Sequence, residues 1–229
     1  MFYDILKAVE SCDEDPSLIF EAIKMNYKEV YSKVLESNNF DFNLCDKDGN
    51  NVLMRLLKNK DYDLVSKYIE NEKIDINHQN DDGDTLAHLL VMINYVDIRE
   101  IFDKLLNRKD FIPNIKNNKN ETILDKSINN YYIYTSVKIL EDKRFNNIGL
   151  YSFKNLYEAY IKSSNYGTYS KLNNFEIIFN SLKEKKLMPT MSKLISIIKK
   201  EENEIKNDFI KSKTECLDMI INHLIKETI

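Results

Sequence analysis

DINHQNDDGDTLAHLL, residues 75–90, sets a polar run directly against a dense apolar one. A loop satisfied by its own short polar side chains, followed at once by a helix, produces that order. The same order occurs 34 residues earlier, in DFNLCDKDGNNVLMRLL from Asp41. Aligning Asn43 to Gly49 with Asn77 to Gly83 fixes the period, and a third copy, Asn114 to Asn120, follows after 37 residues. Each copy precedes an apolar helix candidate: Asn51 to Lys58, Thr85 to Ile93, Thr122 to Asn129. Each of these precedes a second: Asp63 to Glu70, Asp97 to Leu106, Ile133 to Glu141. The unit is turn, helix, helix.

The turn chemistry recurs with the period. Gly49 and Gly83 sit where a tight turn needs positive φ, and Asn120, the next most tolerant residue type, takes that place in the third copy. Asp46, Asn80 and Asn117, three residues earlier, are placed to hydrogen-bond the turn backbone. Asn51, Thr85 and Thr122 fall where a helix wants an N-cap oxygen. A short apolar helix cannot bury its surface alone, so each unit must pack on a neighbour.

These residues resemble the ankyrin repeat, whose unit runs roughly D-x-N-x-x-D-x-x-G-x-T-P-L-H. The middle copy matches at Asp75, Asn77, Gly83, Thr85 and His88, and the first at Asp41, Asn43, Asp46, Gly49 and Leu53. The third matches at Asn114, Asn117, Thr122 and Leu124, with Asp125 in the histidine place. The chain departs from the pattern where Val52, Leu86 and Ile123 replace the proline. It departs again where Leu56-Leu57, Leu90-Val91 and Ser127-Ile128 replace a small alanine pair. The resemblance implies an all-α, ankyrin-type helical repeat solenoid over residues 1–144, of three to four units with the first degenerate. In that unit Ile19, Ile23, Val30, Tyr31 and Leu35 match Leu53, Leu57, Leu64, Val65 and Ile69 at an offset of 34. A short helix over residues 2–11 is expected to cover the first edge. The resemblance also implies that His88 bonds the neighbouring turn.

Residues 145–229 read as a degenerate repeat plus a C-terminal helical cap or extension. Helices are expected over Phe153 to Lys162, Phe175 to Lys183, Met191 to Lys199 and Glu201 to Lys226. On the last, Ile205, Phe209, Cys216, Ile220 and Leu224 share one face. That face suits covering the end of the stack, docking, or a two-helix dimer contact.

The composition, 31% charged and 43% hydrophobic, is that of a soluble protein without a membrane span. The acidic start MFYDILKAVESCDEDPS does not resemble a signal peptide, and Cys12, Cys45 and Cys216 read as free thiols in a reducing, cytoplasmic setting. The 28 Asn, 29 Lys and 28 Ile are residues of A+T-rich codons. This bias is similar to that of ankyrin proteins from giant DNA viruses, which would place the chain in host cytoplasm; poxviruses and some intracellular bacteria share it. Residues 1–111 carry 14 Lys+Arg against 23 Asp+Glu, a net of −9, whereas residues 112–229 carry 19 against 14, a net of +5.

Catalytic signatures are missing from the sequence. Four scattered glycines cannot form a phosphate-cradling loop, and His78, His88 and His223 have no ligand partner at metal spacing. The expectation is a non-enzyme with no cofactor or metal, whose partner is another protein. Offset mapping puts the turn tips at Leu44, Lys47 and Asp48, then His78, Gln79 and Asp81, then Ile115, Lys116 and Asn118. The matching helix-face residues are Arg55, Lys58 and Asn59, then Leu89, Met92 and Ile93, then Lys126, Asn129 and Asn130. The middle triplet is apolar where a solvated face is polar, so it is either covered by the chain itself or the dry centre of an interface. A nucleic-acid or ribonucleoprotein role is the alternative. It would use Lys183, Lys185, Lys186, Lys193, Lys199 and Lys200, with Tyr131, Tyr132 and Tyr134 stacking on bases.

Overall fold

In the computed structural model the chain is helical, and no strand occurs among the described residues. Those residues are 7, 10–12, 14–37, 40–93, 95–130, 132–146, 148–149, 152–153, 156, 177–178 and 180–187. Helices run in pairs: α1 (Leu18–Lys24) with α2 (Lys28–Leu35), and α3 (Val52–Lys58) with α4 (Tyr62–Tyr68). Then come α5 (Leu86–Leu90) with α6 (Tyr95–Asn107), and α7 (Ile123–Asn129) with α8 (Ile133–Glu141). The first helices touch in chain order, α1 on α3, α3 on α5 and α5 on α7, and α4 packs on α6. The first helices α1, α3 and α5, and α4 among the second helices, therefore pack against both their own partner and the next pair. Leu53, Leu64, Ile69, Leu86, Ile98 and Leu105 are all buried, as are Ile19, Ile23, Val30, Tyr31 and Leu35 of the N-terminal unit.

The turns are built as their residue types require. Gly49 and Gly83 have φ of 72° and Asn120 has φ of 62°. The Asp46 carboxylate accepts from the amides of Asp48 (3.0 Å) and Asn50 (2.9 Å). Asn80 Oδ1 accepts from Asp82 (3.1 Å) and Asp84 (2.9 Å), and Asn117 Oδ1 from Lys119 and Glu121 (both 3.0 Å). Asn51, Thr85 and Thr122 cap α3, α5 and α7 from extended backbone. α5 falls furthest short of expectation: it ends at Leu90, with Val91 and Met92 in a turn and Ile93 in a bend, whereas α4 starts one residue early at Tyr62 and ends at Tyr68 rather than Glu70.

Neighbouring units are cemented by devices that also recur. Asn43 Nδ2 donates to Lys73 O (2.9 Å) while its Oδ1 accepts from Asp75 N (2.9 Å). Asn77 clasps Asp110 O and Ile112 N in the same way. Arg108 reaches back to Ile69 O, Asn71 O and Ile74 O, and Arg144 to Leu106 O, Arg108 O and Phe111 O. Along the second helices, Glu36 pairs with Lys67, Glu70 with Lys104 and Asp103 with Lys138. Each acid thus reaches the lysine of the following unit.

The first compact unit runs to Leu156. Phe145, Phe153 and Leu156 are buried, and Gly149 N donates to Asp125 Oδ1 (2.8 Å). The second unit spans Tyr157–Ile229. Of the helix expected over Phe175 to Lys183, residues 177–178 and 180–183 are helical, and the helix runs on to Glu184. The helices expected over Met191 to Lys199 and Glu201 to Lys226, and nearly all of those over 2–11 and Phe153 to Lys162, lie outside the described residues.

The joint between α3 and α4 holds Lys60 at φ of 64°, a conformation that costs an L side chain about 1 kcal/mol. Lys60→Gly should therefore raise stability by about 0.5–1 kcal/mol, read as a higher urea midpoint at unchanged slope.

Candidate partner-binding face

The expected contact residues divide by what already holds them. At the tips, Lys47, Asp48, Asp81 and Lys116 are exposed and Leu44 is half-buried. Gln79 is exposed but works inside the protein: its Nε2 donates to Gly83 O (2.6 Å) and to Lys116 O (2.9 Å), tying the middle turn to the third. His78 Nε2 lies 2.7 Å from Gly49 O and so serves as the donor. On the helix face Arg55 pairs with Asp46 (3.5 Å), Lys58 donates to Asn50 Oδ1 (2.7 Å) and Lys126 pairs with Asp84 (2.5 Å). Between these moored cations Leu89 and Ile93 are half-buried, and Met92 is 38% exposed. The triplet thus presents an incompletely covered apolar surface among polar neighbours.

The middle copy has the polar network that fixes this face. Asn80 Nδ2 donates to Asn50 Oδ1 (2.9 Å) and Asn117 Nδ2 to Asp84 Oδ1 (2.8 Å), so each turn is bonded to the one before. Burial would raise the Asp84 carboxyl, but hydrogen bonds from Lys126 and Asn117 outweigh it and hold it below the ordinary carboxylate range. Beneath the face, His88 is fully buried. Its Nδ1 accepts from Thr85 N (3.2 Å) and its Nε2 donates to Glu121 O (3.1 Å), which requires the neutral ring. Burial depresses its proton affinity, more than the Glu121 carbonyl bond and the Asp84 charge raise it. The unfolded chain therefore takes up a proton here more readily than the folded one. Stability should be nearly complete above about pH 6.5 and decline as the pH falls below it toward 5. Urea unfolding at pH 7 and pH 5 checks this, and His88→Ala should remove the decline while lowering stability at pH 7.

One juxtaposition is invisible in sequence spacing: Cys45 Sγ lies 3.4 Å from His78 Nε2. It is not an activated thiol. Burial, with the charges of Asp46, Asp41 and Asp81, pushes the thiol up from its ordinary value. The Nε2–H already faces Gly49 O, so that nitrogen has no lone pair to take the thiol proton. Among the described residues no three His, Cys, Asp or Glu side chains converge as a metal ion would require. No helix among them is long and apolar enough to cross a membrane.

The recurring Asn clasp, the arginine forks and the acid–lysine ladder were not picked out from the sequence. The Asn clasp carries a readable signal, since Asn43, Asn77 and Asn114 hold the same place in each copy. No protein-family model matches this chain, and no curated protein matches it either.

Proposed function

We propose that the chain is an ankyrin-type repeat protein whose work is to bind another protein through its first-helix face, with the middle copy at the centre. It serves as a non-catalytic adaptor in the cytoplasm or as a subunit of a larger assembly. The observation that carries this reading is the triplet Leu89, Met92 and Ile93, partly exposed where the flanking copies carry Arg55, Lys58 and Lys126. In a repeat stack that side forms the concave surface, and an adaptable methionine with branched neighbours suits a dry interface centre. The opposite, second-helix side is less suited to a partner. Lys67, Lys104 and Lys138 are each committed to an acid there, which also disfavours binding of phosphate backbones on that side.

Replacing Leu89, Met92 and Ile93 together with Ser should weaken capture of the native partner by tenfold or more. Helical content and melting temperature should stay close to the parent. Partner capture is read after affinity purification from the producing cell with quantitative mass spectrometry. Undiminished capture by a folded variant would move the interface elsewhere, and unfolding of the variant would make the triplet core.

A further inference from the structure

Exposed apolar side chains concentrate at the joints between paired helices. Met25 and Tyr27 (both 57% exposed) stand at the α1–α2 joint, Met92 and Val96 (80%) at the α5–α6 joint, and Tyr134 (74%) at the α7–α8 joint. These joints share one edge. Turn-to-turn bonds, Asp81 N to Asp48 O and Asn118 N to Asp82 O, set the starts of α3, α5 and α7 side by side. Their ends, and so their joints, therefore come to the opposite edge. The Lys28–Asp61 pair (3.3 Å) joins the α1–α2 joint to the α3–α4 joint. Between the α1–α2 and α5–α6 joints lies this α3–α4 joint, where the exposed side chains are Lys58 and Lys60, with Asp63 exposed one residue into α4. Lys58 bonds a neutral amide, and neither lysine is within ion-pair distance of a carboxylate among the described residues.

We propose that this edge seats an amphipathic α-helix of the partner protein, with two apolar anchors and acidic residues between them. The inference rests on the binding reading above and names the chemistry of what binds. Adjacent packed helices lie about 10 Å apart, so joints two units apart are roughly 20 Å apart. A helix rises about 1.5 Å per residue, which separates the two anchors by about 13 residues. Aspartate or glutamate midway along the same face meets Lys58 and Lys60, which fix the register while the anchors cover Met25, Tyr27, Met92 and Val96. Two apolar clusters split by cations suit a rod of that length better than a continuous sheet-like surface.

The test pans a random 20-residue peptide library on phage against the immobilised full-length protein and measures the enriched peptides by fluorescence anisotropy. Enriched sequences should show apolar residues about 13 apart at helical spacing, with Asp or Glu midway. Lys58→Glu with Lys60→Glu should weaken them tenfold or more, and so should Met25→Ser with Val96→Ser. Peptides with lysine at the midway acids should regain affinity for the Lys58→Glu, Lys60→Glu protein, which a merely structural defect would not allow. Failure to enrich such peptides, or equal binding by both double variants, overturns the proposal. If those variants keep the native partner while the Leu89, Met92, Ile93 serine variant loses it, the helix-face reading stands and this edge is not the seat. Lysine-dependent cosedimentation with phosphatidylserine vesicles, or a concentration-dependent dimer abolished by the same changes, would assign the edge to a lipid surface or a second copy and overturn it as well.

Discussion

Gly83→Val should lower folding stability by about 3 kcal/mol or more, measured by urea denaturation. Two effects act together. At φ of 72° a β-branched side chain is strained by its own backbone, which costs about 1–3 kcal/mol. A Cβ at this position would also stand 2.5 Å from Asn118 Oδ1 and 2.6 Å from Asn118 N. The second of these is backbone, and it makes the turn-to-turn bond to Asp82 O (3.0 Å). Relieving the contact means opening the junction between the middle and third copies, so the loss should appear as early hydrogen exchange at Asn118 as well as in the midpoint. Gly83→Asn tolerates the positive φ but not the contact, and should fall between the two. Unchanged unfolding of the valine variant would show that this turn is not packed against its neighbour.

Arg108→Ala should be as damaging, at about 3–5 kcal/mol. The guanidinium is buried and donates to Ile69 O (2.9 Å), Asn71 O (2.8 Å) and Ile74 O (3.0 Å), carbonyls at and beyond the end of α4. Asn71 O keeps the amide of Ile74 (3.1 Å), but no other donor among the described residues reaches Ile69 O or Ile74 O, so removing the fork leaves two buried acceptors unpaired. The pair with Asp110 adds less, because that carboxylate is more than half exposed. Its proton affinity is held down first by the Arg108 hydrogen bond, against the smaller opposing effect of burial. Arg108→Lys should recover under half of the loss, since an ammonium cannot reach three divergent carbonyls from one planar fork. Full recovery by lysine would show that charge, not the fork, is what matters.

Local chemistry explains why so much of this arrangement was readable in advance. Glycine or asparagine at 49, 83 and 120, an acceptor three residues earlier and an N-cap two residues later form a backbone requirement spelled in adjacent residues. The apolar spacing of α1 to α4 was equally plain, because burial follows helical period whatever the neighbours are. Contacts across units were harder to see. Arg108 grips the end of α4 and the loop after it, and Arg144 the end of α6 and the loop after it, some 33 to 39 residues away, and nothing near either arginine in the sequence marks it for that reach. Lys138 lies near Asp103 only because α8 follows α6 at the right height. The triplet at Leu89, Met92 and Ile93 stood out for a simpler reason: the other copies provide a polar comparison at the same positions.

The third residue of each capped helix differs from copy to copy. Met54 is apolar and fully buried, His88 donates to the carbonyl of Glu121, and Asp125 accepts from the amide of Gly149. Three junctions built on one backbone plan thus have three incompatible locks: grease, donor and acceptor. Repeats of similar shape risk docking on the wrong neighbour while the chain folds, or on a unit of another molecule. Here a misplaced neighbour leaves a buried imidazole or carboxylate facing a group of the wrong polarity, an error that favours release. The locks act as addresses: unit order is specified by hydrogen-bond sense as well as by connectivity. A chain with its second and third copies exchanged, though composed of the same residues, should fail to close its junctions.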